Sequence, residues 1–257
     1  MSNALAIASG GLRAQEYYID KIAHDLANLN TSNYKASKMT FADQLYQNIN
    51  GGSSLQAKAN LQLGMGASIY KTGKDFSEGP LKPTNNWSDL AIDGPGFFQV
   101  SSEDGTISYT RNSTFIIDED HYLATQDGSR LSDNIQIPED AIEITIQKEG
   151  EVLARVAGDT EPQLLGSIKL AKFLDPDSLH SIGSGLYKTT ELSGEPIVDS
   201  PASSGLGSLA QKQIEGSNVD MVSSLMQLTM AQRIYQLNAK AVQIADELEK
   251  ITNEIRN

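Results

Sequence analysis

The sequence predicts an α+β fold: long N- and C-terminal α-helices forming a coiled-coil layer, with an extended region and a β-rich domain inserted between them. Three observations carry that prediction. Heptad-spaced apolar residues mark both ends, short apolar alternations bounded by turn residues fill the centre, and 257 residues are enough to bury a core.

The N-terminal helix comes first. Between Ala4 and Leu29, the residues Leu5, Leu12, Ile19 and Leu26 recur every seven positions, with Ala8, Ile22 and Leu29 three positions further on and Gln15 as the polar exception. This is an a/d seam. At the other end Met230, Ile234, Leu237, Ala241, Ile244, Leu248, Ile251 and Ile255 alternate steps of four and three, the same seam in a longer helix. An adjoining stripe of Met221, Leu225, Leu228, Tyr235 and Val242 allows that helix more than one partner. Its start is marked by Ser217-Asn218-Val219-Asp220, with Ser217 placed to cap the amide three residues on and Asp220 suited to the positive helix end. Each stripe taken alone also fits a buried core helix. Length argues otherwise, because a run of roughly 39 residues without Gly or Pro spans about 60 Å as a helix, more than the width of a compact domain.

Between the helices the pattern changes to strand and turn. From Asn48 to Asn86 the chain is rich in Gly, Ser, Asn and Lys with short alternations such as Leu61, Leu63 and Met65, which reads as extended connecting structure. Hairpins follow: Phe97–Val100 with Ile107–Thr110 across Glu103-Asp104-Gly105, and Phe115–Ile117 with Tyr122–Ala124 across Asp118-Glu119-Asp120. Ile142–Ile146 faces Val152–Val156 across Lys148-Glu149-Gly150, and Leu165–Phe173 reads as one further strand ending before Pro176. The Pro, Ser and Gly-rich span Pro196–Gly207 reads as a return linker. Trp87, Phe97 and Phe98 are expected to anchor the β core. The domain boundaries predicted are 1–35 and 216–257 for the terminal helices, 36–86 and 197–215 for the connecting region, and 87–196 for the β-rich domain.

Composition excludes several function classes. Twenty Lys and Arg against 33 Asp and Glu give a net charge of −13, which disfavours nucleic acid and anionic membranes as partners. There is no Cys, hence no disulfide, thiolate metal site or cysteine nucleophile. His24, His121 and His180 lack metal-ligand spacing, and Asp118-Glu119-Asp120-His121 reads as a hairpin tip, so no metal and no cofactor are expected. No apolar run has the ~18 residues of a spanning helix, and the first residues lack a basic and then apolar leader, so neither membrane insertion nor a cleavable signal is expected. Ser32-Asn33-Tyr34-Lys35, Lys71-Thr72-Gly73 and Ser132-Asp133-Asn134 match the three short motifs of penicillin-binding serine acylases, in the wrong order. No catalytic residue is therefore assigned, and the acylase stays a remote alternative. A secreted binding module with coiled-coil ends is another.

Asp25-Leu26-Ala27-Asn28-Leu29-Asn30-Thr31-Ser32-Asn33-Tyr34-Lys35 resembles the signature of flagellar axial proteins, N-L-A-N-x-x-T-x-G-[FY]-K. Asp25 stands in place of Asn and Asn33 in place of Gly; Asn tolerates the left-handed backbone that Gly supplies, so the turn is expected to survive. The resemblance continues through Phe41–Tyr46, Asp89–Phe98 with Asp93, Gly94, Gly96, Phe97 and Phe98, Tyr109–Phe115, Gly185–Tyr187, Ser193–Pro196, and Glu215–Asp220 with Ser217, Asn218 and Val219. It thus covers nearly the whole chain. Its length, the F-x-D-x-L-Y segment and the long connector before Asp89 resemble the distal-rod branch of the flagellar basal-body rod family, ahead of the proximal-rod and hook branches. The resemblance implies an inner helical layer, an intermediate extended layer and a β-rich outer domain. It further implies a structural subunit that polymerises helically with itself into a rod crossing the periplasm, transmitting torque to the hook. Partners implied are proximal rod proteins, the hook protein and the surrounding P and L rings, with export through the flagellar type III channel. The two heptad stripes are the expected assembly seam.

Overall fold

In the computed structural model, residues 3–43, 46–49, 61–64, 66–102, 104–157 and 161–256 are described. They form two compact units. The first comprises 1–27, 37–72 and 220–257, and the second 28–36 and 73–219.

In the first unit, α1 (Asn3–Ala27) and α2 (Met221–Arg256) lie side by side. The Tyr18 hydroxyl donates to Gln227 Oε1 at 3.3 Å, and Gly11 lies against Asn238. As α1 advances its partners on α2 recede in number, so the pair is antiparallel. On α2 the covered residues are Ser224, Leu228, Ala231, Ile234, Asn238, Ala239, Val242 and Ala245, with Ala231 the most buried at 1 % exposed. Asp220, not Ser217, caps α2: its carboxylate accepts from the amides of Val222 and Ser223, both at 3.2 Å. The Ser217 hydroxyl instead accepts from Val219 N.

From α1 the chain enters β1 (Ser37–Asp43) and β2 (Tyr46–Ile49), then returns as β3 (Leu61–Gly64) and β4 (Ala67–Lys74). β1 pairs with β4, and β2 pairs antiparallel with β3, as two separate two-stranded sheets. The ring of Tyr18 on α1 meets Phe41 on β1 edge-on at 5.8 Å. The connector expected to be extended therefore is so in its described parts; Met65 and residues 50–60 lie outside the described residues.

Among the described residues, the regular structure of the second unit is strand apart from one turn of 3₁₀-helix at Pro176–Ser178. After β5 (Leu81–Pro83) and β6 (Leu90–Asp93), β7 (Phe97–Ser101) and β8 (Ile107–Thr110) form the first expected hairpin, Phe98 opposite Thr110. The second, β9 (Phe115–Ile117) with β10 (Leu123–Thr125), is likewise present, and β11 (Arg130–Leu131) joins β10 to β7. β12 (Ala141–Ile146) and β13 (Glu151–Val156) form the third. The expected single strand at 165–173 is in fact two. β14 (Gln163–Ser167) pairs with β13, whereas β15 (Leu170–Lys172) pairs with β7, because Ile168, fully buried, and Lys169 switch the chain from one sheet to the other.

β16 (His180–Gly183) and β17 (Leu186–Lys188) extend the large sheet beyond β8. β18 (Ile197–Asp199) pairs with β15, so the expected return linker carries a strand. Last come β19 (Ser208–Gln211) on β6 and β20 (Gln213–Glu215) on β5. Alternation along β7 divides the core. Phe98 and Val100 point into a large cluster with Leu90, Ile92 and Leu209, with Trp87 packed against it, while Phe97 joins Tyr109, Phe173 and Tyr187 on the opposite face.

The fold class expected from the sequence is corrected here. Among the described residues there are twenty strands and two α-helices, so the chain is mainly β, and its helices make one antiparallel pair instead of a coiled-coil layer. Heptad spacing shows that a stripe is apolar, not what covers it. Small residues at Gly11, Ala14 and Ala231 accompany the contact of α1 with a third face of α2, which takes only Leu228 and Val242 from the adjoining stripe and leaves most of the more apolar seam exposed.

Candidate functional site

The chemistry-bearing side chains of the second unit converge on one buried junction. After α1 the chain turns through Asn28–Asn33, with Thr31 N donating to Asn28 O. Asn33 adopts φ +61°, the left-handed backbone expected of it. Its amide donates to the carbonyl of Glu215 at 2.8 Å, and its carboxamide contacts Asn112 and Ser113. Two residues on, Lys35 is 1 % exposed. Its Nζ donates to Glu215 Oε1 at 2.6 Å and to the carbonyl of Ser77 at 2.7 Å.

Glu215 takes a second cation on its other oxygen, Arg111 Nε at 3.1 Å, and Oε1 also accepts from Gly79 N at 2.8 Å. The remaining guanidinium donors go to the carbonyls of Gly96 at 3.1 Å, Gly94 at 3.0 Å and Ile92 at 3.3 Å. This gives the Asp93-Gly94-Pro95-Gly96 turn a role: Gly94, at φ +115°, aims carbonyls at the guanidinium, and a Cβ there would lie 2.8 Å from Gly207. Gly79 is held closer still, since a Cβ on it would stand 2.2 Å from the Gly216 carbonyl. Asn218 completes the junction, accepting from Ala36 N at 2.7 Å and donating to the carbonyl of Asp75 at 2.8 Å. Lys74 donates to the Lys35 carbonyl at 3.1 Å and lies over the Tyr34 ring.

Burial lowers the pKa of the Lys35 amine and the neighbouring Arg111 lowers it further, while Glu215 and then Glu78 oppose the shift. Tyr187, buried nearby, is pushed up to about 12. Two cations share one carboxylate, each further bonded to carbonyl groups, which is the satisfied form of a buried ionic network. Its chemistry is cohesive. The Lys35 amine is committed to Glu215 and Ser77, so Ser32 and Lys35 do not form the nucleophile and base pair that the S-x-x-K spacing suggested.

The structure thus brings Tyr34 and Lys35 together with Asn218, and Gly94 and Gly96 with Arg111. Ser217 and Val219 are buried beside Asn218. Phe97 and Phe98 lie in the two separate core clusters, and Asp93 is exposed at the end of β6. Asp25, in the first unit, is buried, pairs with Lys21 at 2.9 Å and accepts from Ser37 N at 3.0 Å, tying the end of α1 to β1. Ala27 and Thr31 are exposed, and Leu26 and Asn28 half-buried.

Of the seam residues, Ile22 is buried, and Leu12, Ile19, Leu26, Leu29 and Ile234 are half-buried. Met230, Leu237, Ala241, Ile244, Leu248, Ile251 and Ile255 are exposed. The side chain of Leu5 lies outside the described residues. Sequence reasoning passed over Arg111, Ser113 and Glu215 as site residues. They sit inside segments that carry the family resemblance, but pairing across 180 positions leaves no periodic trace.

Comparison with known proteins supplies independent information. The profile described as "Flagellar hook protein FlgE/F/G D1 domain" matches residues 91–154, and "Flagellar basal body rod FlgEFG protein C-terminal" matches 210–255. The chain is 37 % identical to flagellar basal-body rod protein FlgG of Borreliella burgdorferi, covering 100 % of this chain and 99 % of that one. It is 33 % identical to FlgG of Bacillus subtilis, covering 98 % and 99 %. Flagellar basal-body rod protein FlgF of Caulobacter vibrioides is 26 % identical over 97 % and 96 %.

Proposed function

Because the chain belongs to the FlgG family of flagellar basal-body rod proteins and is a structural subunit of the distal rod, we propose that it works mechanically, without catalysis. Copies polymerise helically, and the shaft they form crosses the periplasm and transmits torque to the hook. Head-to-tail contacts that do not close give such an open filament. The proximal rod proteins, the hook protein and the P and L rings are its further partners.

The observation that carries this reading is the exposed apolar stripe of α2. Leu237 is 67 % exposed and Leu248 58 %, and with Met230, Ile244, Ile251 and Ile255 they line one helix face. Burying such a side chain contributes about 1.5–3 kcal/mol, so neighbouring copies gain by covering it. Within this reading residues 1–35 and 216–257 belong to an inner region, 36–86 and 197–215 to an intermediate one and 87–196 to an outer one. Leu237→Asp and Ile244→Asp are the test: each should abolish filament formation by purified subunits while circular dichroism of the β region is retained. Motility restored by either variant in a deletion strain would overturn the assignment of this face.

A further inference from the structure

The C-terminal part of the second unit, residues 207–219, is bound by a groove made almost entirely from residues earlier in the chain. Leu209 N donates to the Lys148 carbonyl at 3.0 Å, and Gly216 N to the Pro80 carbonyl at 2.8 Å. Between these the Gln211 carboxamide joins three chain segments, donating to the carbonyls of Trp87 and Ile144 and accepting from Ile146 N. Glu215 then inserts its carboxylate between Lys35 and Arg111.

The segment is held by hydrogen bonds and charge more than by apolar burial. Across the thirteen residues 207–219 only Leu209 and Val219 are buried apolar side chains, whereas the five residues of β7 bury Phe97, Phe98 and Val100. Segments with little apolar burial open at lower free energy than the core around them. A hinge adjoins it: Ala202, Ser204 and Gly205 all have positive φ, and Ser204 and Gly205 are exposed.

We infer that residues 207–219 are a releasable strap, able to leave while the nine-stranded sheet stays folded, and that the vacated groove accepts the same segment of a second copy. The groove specifies its occupant. It offers two cations to one carboxylate and three backbone groups to one carboxamide four residues earlier, and in this chain that spacing is supplied by Gln211 and Glu215 of the strap itself. In a structural subunit surrounded by identical copies, the same segment is the occupant at hand.

Hydrogen exchange on the full chain, followed by mass spectrometry across a denaturant series, tests the release. Amides of the strap should exchange together through an opening with weaker denaturant dependence than amides of β7 and β8. Leu179→Ala, in the core cluster that holds Phe97 and Tyr187, should speed β7 and β8 exchange roughly 30-fold or more while leaving strap exchange unchanged. Gln211→Ala should speed strap exchange roughly 10-fold. For acceptance in trans the probe is a fluorescein-labelled peptide of residues 206–220. The full chain should take it up no faster than the strap opens, and a peptide carrying Glu215→Ala should not bind at the same concentration. Strap amides that exchange only with the core, or that accelerate equally in Leu179→Ala, overturn the release. Failure to incorporate the unmodified peptide overturns the acceptor groove.

Discussion

Glu215→Gln removes one negative charge from the junction and almost nothing else. The shape is kept, and the new amide can still meet Gly79, but Lys35 at 2.6 Å and Arg111 at 3.1 Å lose their shared anion while remaining buried. Two unit charges about 4 Å apart interact by about 4 kcal/mol at an effective dielectric near 20. Breaking one partner of a buried pair costs about 3–5 kcal/mol in measured cases, because the survivor stays desolvated. Two survivors place this substitution in the upper half of that range, offset in part by relief of the Glu215 desolvation, so a loss of about 4 kcal/mol is expected. For a unit of this size that lowers Tm by about 8–16 °C. Urea unfolding followed by fluorescence of Trp87, the chain's one tryptophan, which packs against the large core cluster, reads the effect directly. Adding Lys35→Met to Glu215→Gln should restore about half of the loss, because one stranded cation is then gone. The exposed control Glu149→Gln should change little. A loss below about 1 kcal/mol, the level of a surface ion pair, would refute the reasoning.

Three further outcomes are expected. Asn33→Ala should destabilise the second unit by about 1–2 kcal/mol through left-handed strain and lost contacts to Asn112 and Ser113, whereas Asn33→Gly should remove the strain but not the contact loss, which urea midpoints can separate. The Asp220 carboxyl is held below its ordinary 3.8 by the hydroxyl and amide of Ser223 and the amide of Val222, so its contribution to α2 is complete above 3.8 and lost as pH falls through the lower folded value. Helical circular dichroism followed from about pH 5 downward should fall in that acid window and lose this step in Asp220→Asn; a step centred above about pH 5 would contradict it. Deleting residues 53–68, which include β3 and the first two residues of β4, should still permit assembly but give filaments that curve or break under electron microscopy, if this connecting region braces neighbouring copies; straight, intact filaments would sink that role.

Local pattern determined much of this protein. Heptad spacing located both helices, period-two alternation with acidic or Gly-containing turns located three of the hairpins of the second unit, and Asn33 was legible as a left-handed residue because that property belongs to its own backbone. Tertiary structure decided what depends on partners distant in sequence. The face of α2 that meets α1 is not the more regular apolar seam but one whose contact is accompanied by small residues at Gly11, Ala14 and Ala231. The switch at Ile168 and Lys169 divides one apparent strand because β13 and β7 compete for it. The buried ionic junction was hidden for the same reason. Lys35, Arg111 and Glu215 look in sequence like ordinary surface charges, since burying any one of them alone would be costly. It is the closing of the fold that places the carboxylate between the two cations and makes their burial possible.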